Sequence, residues 1–322
     1  MSTAQSLEAR IRAAERRVAD SYGLTIGEHM ITLDDPSVRV RVLTIGSGPP
    51  VLSVNGIATP GMGFAPLIAR LPGFRHLLLE LPGHGLSAPC RWQGRSVRES
   101  AVRIVTGTLD ALELPRVAMI GSSLGGLFAL AMSLDAPARL SQATILGTPA
   151  TALPGCRPIP SMAALASPIR GPIEQRLAAL ASPRFAARIA LAEAMGSAAA
   201  QAMSNDMLDL HRLPLRLPGQ AASYRALIRR LIQGRDPRPE NILTTAELTR
   251  IATPLLFLWG RQDAFCPPEQ GRRSVERIPG ARFEIVPGAH TPWLDDADHC
   301  AAMIRTVLPE PVAPTIGASR HA

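Results

Sequence analysis

Polar and apolar residues alternate along EHMITL and VRVRVLTIG, and the turn-forming cluster DDPS joins them, so the early chain reads as an antiparallel strand pair. After residue 50 the pattern changes. PPVLSVNG, RHLLLELPGHG, RVAMIG and QATILG are short runs with no polar face. Between them, FAPLIARL, SVRESAVRIVTGTLDAL and LGGLFALAMSLDA carry apolar residues at helical spacing, and Ser96 stands where a helix N-cap belongs. Strands without a polar face must be covered on both sides, which predicts a mainly parallel central sheet flanked by helices, an α/β architecture.

Residues 151 to 247 interrupt this alternation: they are rich in Ala, Arg, Met and Pro, helical in period, and contain no convincing strand. Alternation resumes with TPLLFLWG, PPEQGRRSVERI, ARFEIVPG and DDADHCAAMIRTVL. A helical insertion between two parts of one sheet accounts for both observations. At the start, QSLEARIRAAERRVAD places Leu7, Ile11, Ala14 and Val18 on one side of a short amphipathic helix. The expected organisation is a helical arm (1–24), a core in two pieces (25–150 and 248–308), a helical cap (151–247) and a disordered tail (309–322).

Composition narrows the classes of function. Hydrophobic residues make up 46% of the chain and charged residues 19%, and no apolar run is long enough to span a bilayer, so no membrane span is expected. The N-terminal MSTAQSLEARIRAAERR is charged throughout and has no apolar segment of the secretory kind, which leads to an expected cytoplasmic location. The formal charge of +8 is carried by arginine alone, since the chain has no lysine. These arginines are dispersed and aromatics are only 4%, which argues against a nucleic-acid partner. Cys90, Cys156, Cys266 and Cys300 are too scattered for a zinc or redox motif, so free thiols and no metal are expected. Nothing in the pattern specifies an oligomeric state.

The stretch VAMIGSSLGG carries the candidate chemistry. GSSLG matches G-x-S-x-G only when Ser123 is central, with Gly121 and Gly125 flanking it; Ser122 fails that spacing. A tight strand-to-helix turn lifts the central side chain from the sheet edge, and the helix opening at Leu124 aims its N-terminal N–H groups at an attacked carbonyl. A serine hydroxyl also needs a base and a group to orient that base. Asp263 lies in RQDAFCPP, just past the run LLFLWG, and His290 lies in PGAHTPW, just past ARFEIV. Parallel strands deliver such loops to one sheet edge, so Ser123, Asp263 and His290 are expected to meet there.

With these motifs the chain resembles the α/β-hydrolase-fold serine hydrolases, in particular the group with a helical cap after the sixth strand. LPGHGLS is similar to the family's turn after its fourth strand, and WGRQDAFCP and PGAHTPW resemble its acid and histidine loops. The resemblance implies a nucleophile at Ser123, a base at His290 and an orienting carboxylate at Asp263. His84 in the Pro-Gly-His-Gly turn is the rival base, and Asp295 and Asp296 are rival acids. It further implies an oxyanion hole from the backbone N–H groups of Leu124 and Ile57. One position departs from the family: SVNGIATPG has Asn55 where histidine is usual, and an asparagine amide can supply similar hydrogen bonds. NGI is also similar to the intracellular medium-chain polyhydroxyalkanoate depolymerases, although Leu124 stands where those carry tryptophan.

Between residues 151 and 247 there are twelve arginines against seven acids, a net +5 that would attract a carboxylate-bearing substrate but reads more simply as a solvated helical face. Met162, Met195, Met203 and Met207 are candidates for an adaptable lining. Asn55, Phe64, Ser122, Met162, Phe265 and Trp293 are the candidate substrate-binding residues. The expected function is hydrolysis of a small-to-medium apolar ester or lactone through an acyl-serine, without metal or cofactor. Alternatives are a carbon–carbon bond hydrolase of the meta-cleavage type, whose His-Gly-x-Gly-Pro loop NGIATPG does not match, and a non-hydrolytic binding or biosynthetic protein on the same fold.

Overall fold

Eight strands form one sheet in the computed structural model, which describes residues 3–180 and 183–310. They are β1 (Ile26–Asp34), β2 (Ser37–Ile45), β3 (Pro50–Val54), β4 (Arg75–Glu80), β5 (Val117–Ser122), β6 (Leu140–Leu146), β7 (Leu255–Gly260) and β8 (Arg282–Val286). Their spatial order is β1-β2-β4-β3-β5-β6-β7-β8. β1 pairs antiparallel with β2 and β2 with β4, while the pairs from β4 through β8 are all parallel. The expected strand pair is therefore β1 and β2, and the expected parallel sheet is the remainder.

The runs with no polar face are the central strands. Side chains alternate across a strand, so β5 sends Val117 and Met119 to one core and Ala118 and Ile120 to the other. β7 divides Leu255, Phe257 and Trp259 from Leu256 and Leu258 in the same way. One core is closed by α2 (Val97–Ala111) and α3 (Leu124–Asp135), the other by α1 (Thr3–Ser21) and a C-terminal helix. Ser96 and Glu99 form a reciprocal capping box at the start of α2. α1 buries Leu7, Ile11, Ala14 and Val18, the face read from its period. It also brings Glu15 to Arg41, and two hydrogen bonds of 2.7 and 2.8 Å join these buried side chains.

Residues 151–247 leave the sheet after β6. They form α4 (Pro160–Ala166), α5 (Gly171–Ala179), α6 (Arg184–Met195), α7 (Ser197–Ala202), α8 (Asn205–Arg212) and α9 (Gln220–Leu231). A two-residue ladder of Ile232–Gln233 with Asp236–Pro237 follows, a strand pairing too short to leave a periodic signal. The insertion is sewn to the turn after β4: Gln220 Nε2 donates to the Ser87 carbonyl at 2.6 Å, and the Cys90 N–H donates to Ser223 Oγ at 3.0 Å. Among the described residues no helix is long and apolar enough to cross a membrane. Of the expected tail, residues 311–322 lie outside the described residues.

Candidate active site

Ser123 directly follows β5 with φ 51° and ψ −111°, a backbone conformation that costs a non-glycine residue ~1–3 kcal/mol. The turn closes only because both flanking residues lack side chains. A Cβ on Gly121 would lie 2.2 Å from the Gly125 carbonyl oxygen, and one on Gly125 would lie 1.9 Å from that of Val54. Inside this turn the Ser123 N–H donates to the Leu146 carbonyl at 3.3 Å, and the Leu127 N–H donates to the Ser123 carbonyl at 3.1 Å. Leu124 opens α3, so its N–H lies ahead of the helix's own ladder, at the positive end of the dipole.

The loops after β7 and β8 bring Asp263 to His290. His290 Nδ1 lies 3.0 Å from Asp263 Oδ1 and 2.9 Å from Oδ2. The same carboxylate accepts the Thr148 N–H at 2.8 Å and the Phe265 N–H at 3.0 Å. Burial pushes the Asp263 carboxyl up, but the charge and hydrogen bond of His290 and the two backbone donors outweigh it and hold the group below its ordinary value. The Phe265 ring packs on the imidazole with centroids 4.1 Å apart. His290 Nε2, the other ring nitrogen, is buried without a hydrogen-bond partner. His290 borders a cavity of about 480 Å³ that Ser123 also borders. An imidazole held in this way, with its Nδ1–H on a carboxylate, can take a proton at Nε2.

The third wall is the loop after β3. Asn55 Nδ2 donates to the Pro60 carbonyl at 2.6 Å, and Asn55 Oδ1 accepts the Gly56 N–H at 3.1 Å. Thr59 Oγ1 donates to the Gly56 carbonyl at 2.6 Å. A Cβ on Gly56 would lie 3.0 Å from Ser123 Cβ, which measures how closely the loop passes the serine. With the Gly56 N–H engaged by Asn55, the next N–H in the loop is that of Ile57, the position expected to serve an oxyanion.

Of the expected substrate-binding residues, Ser122, Met162 and Phe265 border the cavity. Asn55, Phe64 and Trp293 do not. Asn55 is turned inward to hold its own loop. Phe64 and Trp293 stack on each other with ring centroids 5.1 Å apart, and Trp293 Nε1 donates to the Gly63 carbonyl at 2.8 Å, so both belong to the core behind the site. Met195 borders the cavity, whereas Met203 and Met207 lie with α1 in that same core.

The rivals are placed elsewhere. His84 is buried with Nδ1 3.2 Å from the Pro82 carbonyl, is held neutral by burial at about 4, and does not border the cavity. Asp295 accepts the Ala289 N–H at 3.1 Å, and Asp296 accepts the His299 N–H at 2.9 Å as a helix cap. Five polar residues of the insertion that border the cavity are not among the residues expected from the sequence: Ser161, Glu174, His211, Arg212 and Tyr224. The signal for His211 was present, since it shares the apolar face of α8 with Met207 and Leu208 at helical spacing. Arg212 is ion-paired at 2.7 Å with Asp209, which also pairs with Arg184 at 2.7 Å. Among the described residues no cluster of His, Cys, Asp and Glu has an arrangement that would hold a metal ion.

Comparison with known proteins agrees with this fold. A carboxylesterase, CesB of Bacillus subtilis, superposes with a TM-score of 0.69 at 16% identity, over 94% of this chain and 98% of that one. A pimeloyl-[acyl-carrier protein] methyl ester esterase of Stenotrophomonas maltophilia is 30% identical, over 81% of this chain and 93% of its own length. A 2-hydroxy-6-oxononadienedioate/2-hydroxy-6-oxononatrienedioate hydrolase of Cupriavidus pinatubonensis is 28% identical, over 76% of this chain and 77% of its own. The sequence signature of the alpha/beta hydrolase fold matches residues 49–297, most of the chain, and the protein belongs to that family.

Proposed function

We propose that the protein is a serine hydrolase of small-to-medium apolar carboxylic esters or lactones. The observation that carries this reading is the His290 imidazole, fixed by the Asp263 carboxylate at 2.9–3.0 Å, on the wall of a cavity that Ser123 also borders. Ser123 Oγ attacks the ester carbonyl while His290 Nε2 takes its proton. The Leu124 and Ile57 N–H groups receive the oxyanion, and the proton passes from His290 to the departing alkoxide. Water, activated by the same imidazole, then releases the acid from the acyl-serine.

Cavity chemistry supports an uncharged acyl group. Its volume of about 480 Å³ falls in the range typical of small-molecule sites. Ile159, Met162, Leu165 and Leu177 supply apolar wall, and α5 and α6 carry Ile173, Leu177, Phe185 and Ile189, each more than half exposed. Among the described residues Arg212 is the arginine that borders the cavity; it already has Asp209 as its counter-ion, and Glu174 adds a carboxylate to the same wall. The relatives that are hydrolases of 2-hydroxy-6-oxononadienedioate favour a second reading, cleavage of a carbon–carbon bond in a dioate. Such a doubly charged substrate matches an ion-paired guanidinium less well than a neutral ester does.

Turnover of p-nitrophenyl esters of graded chain length, with Ser123→Ala in parallel, tests the assignment. Wild-type turnover lost in Ser123→Ala supports it, and turnover of the dioate but of no ester would favour the second reading. No ester turnover together with no fluorophosphonate labelling of the wild type would overturn it.

A further inference from the structure

The loop that carries the Ile57 N–H is held from two sides. Asn55 holds it from the core through the Pro60 carbonyl and the Gly56 N–H. From the other side comes His211 of α8, whose Nδ1 lies 3.3 Å from the Ala58 carbonyl oxygen. A carbonyl only accepts, so the proton of this hydrogen bond sits on Nδ1. Burial, partly offset by that carbonyl, pushes His211 down to about 4 and keeps the ring neutral at ordinary pH.

Ala58 has φ 57°, a left-handed conformation that alanine adopts only when its surroundings hold it there. It directly follows Ile57 and shares a peptide plane with it, so relaxation of Ala58 displaces Ile57 and with it the preceding peptide, whose N–H would bind the oxyanion. α8 is a firm base from which to prevent this. Asp206 pairs with Arg17 of α1 at 2.7 Å, Asp209 pairs with Arg184 and Arg212, and Leu208 and Leu210 are buried with α1 in one core.

We infer that His211 is a positioning residue: its Nδ1–H, given to the Ala58 carbonyl, holds the oxyanion loop in register with Ser123 and makes the helical insertion part of the catalytic apparatus. The inference rests on the ester-hydrolase reading above. Its chemistry is positional only, since His211 transfers no proton in the reaction. A hydrogen-bond donor that stabilises only the transition state acts on kcat and leaves ground-state binding nearly untouched.

Three variants test it: His211→Ala, which removes the donor; His211→Asn, whose amide nitrogen falls near the place of Nδ1; and His211→Gln, whose amide falls near Nε2. Each is measured for kcat and KM on p-nitrophenyl butyrate, for the rate of fluorophosphonate labelling, and for thermal unfolding. Loss of an oxyanion donor outright costs ~10²–10³ in rate, so loss of its positioning should lower kcat by roughly 10- to 100-fold with KM within about twofold. Asn should recover kcat to within about fivefold of wild type, and Gln should stay as slow as Ala with an unfolding midpoint equal to that of Asn. The Asn and Gln pair decides the matter even if Ala does not fold. A kcat for Gln or Ala within twofold of wild type, a loss confined to KM, or equal rates for Asn and Gln would overturn the inference while leaving the hydrolase reading intact. Absence of any turnover or labelling in the wild type would remove both.

Discussion

Replacing Asp263 by asparagine perturbs the site at the point where the geometry is most constrained. Oδ2 accepts the Thr148 N–H at 2.8 Å and Oδ1 accepts the Phe265 N–H at 3.0 Å, while both face His290 Nδ1. An asparagine has one acceptor oxygen, so its NH₂ must point at one of the two backbone donors. One buried N–H then loses its acceptor, a penalty of ~1–3 kcal/mol, and the variant should be less stable by about that amount. The larger effect is on the imidazole. Without the carboxylate, the Nδ1–H tautomer loses the acceptor that fixes it and the imidazolium formed during attack loses its counter-charge. In the general serine triad this change lowers kcat by about 10⁴, which at 1.36 kcal/mol per decade is about 5 kcal/mol of the barrier. The assay is kcat on a p-nitrophenyl ester, beside a guanidinium melt to separate inactivation from unfolding. Asp295→Asn is the control: that carboxylate meets only the Ala289 N–H at 3.1 Å, and kcat should stay within roughly threefold. A folded Asp263→Asn that retains more than about a tenth of wild-type kcat would refute the assignment of the orienting acid.

Further outcomes follow from the same geometry. Asn55→Ala removes both bonds that hold the loop from the core, and kcat should fall by ~10-fold with little change in KM; an unchanged kcat would mean the loop needs no such support. Gly125→Ala places a Cβ 1.9 Å from the Val54 carbonyl oxygen, backbone that cannot move aside. That variant should lose ~3 kcal/mol or more of stability or fail to fold, and a wild-type melt would contradict the tight turn. His84 and His211 are each held neutral by burial at about 4, against 6.5 in the unfolded chain. The unfolded state therefore binds more protons between these values, and stability should fall as the pH drops from about 6.5 toward 4, by roughly 2 kcal/mol per residue at pH 5. Equal guanidinium midpoints at pH 7 and pH 5 would contradict this, and His84→Asn should flatten the dependence.

The sheet was legible because β3, β5 and β7 bury both faces and so spell short, almost wholly apolar runs; α3 is as apolar but runs for twelve residues, too long for such a strand. Ser123, Asp263 and His290 were legible as belonging to one edge because each closely follows a strand, and parallel strands share that edge. What the sequence could not tell was the direction of side chains beside those loops. Phe64 and Trp293 flank the site in sequence, yet they stack into the core on its far side. Asn55 sits in the loop after β3 beside Ser123, but its amide is satisfied within that loop and does not border the cavity. His211 reaches Ala58 across 153 positions of sequence, and the path of α8 over the sheet edge is set by packing that no local pattern encodes.

Ser123, and not its neighbour Ser122, is the proposed nucleophile. Mass spectrometry of the protein after reaction with a fluorophosphonate tests it most directly, because fragmentation of the labelled peptide separates adjacent serines. One phosphonyl adduct is expected, located on Ser123, abolished by Ser123→Ala and retained by Ser122→Ala. An adduct on Ser122, or an unlabelled protein that still hydrolyses esters, would contradict it.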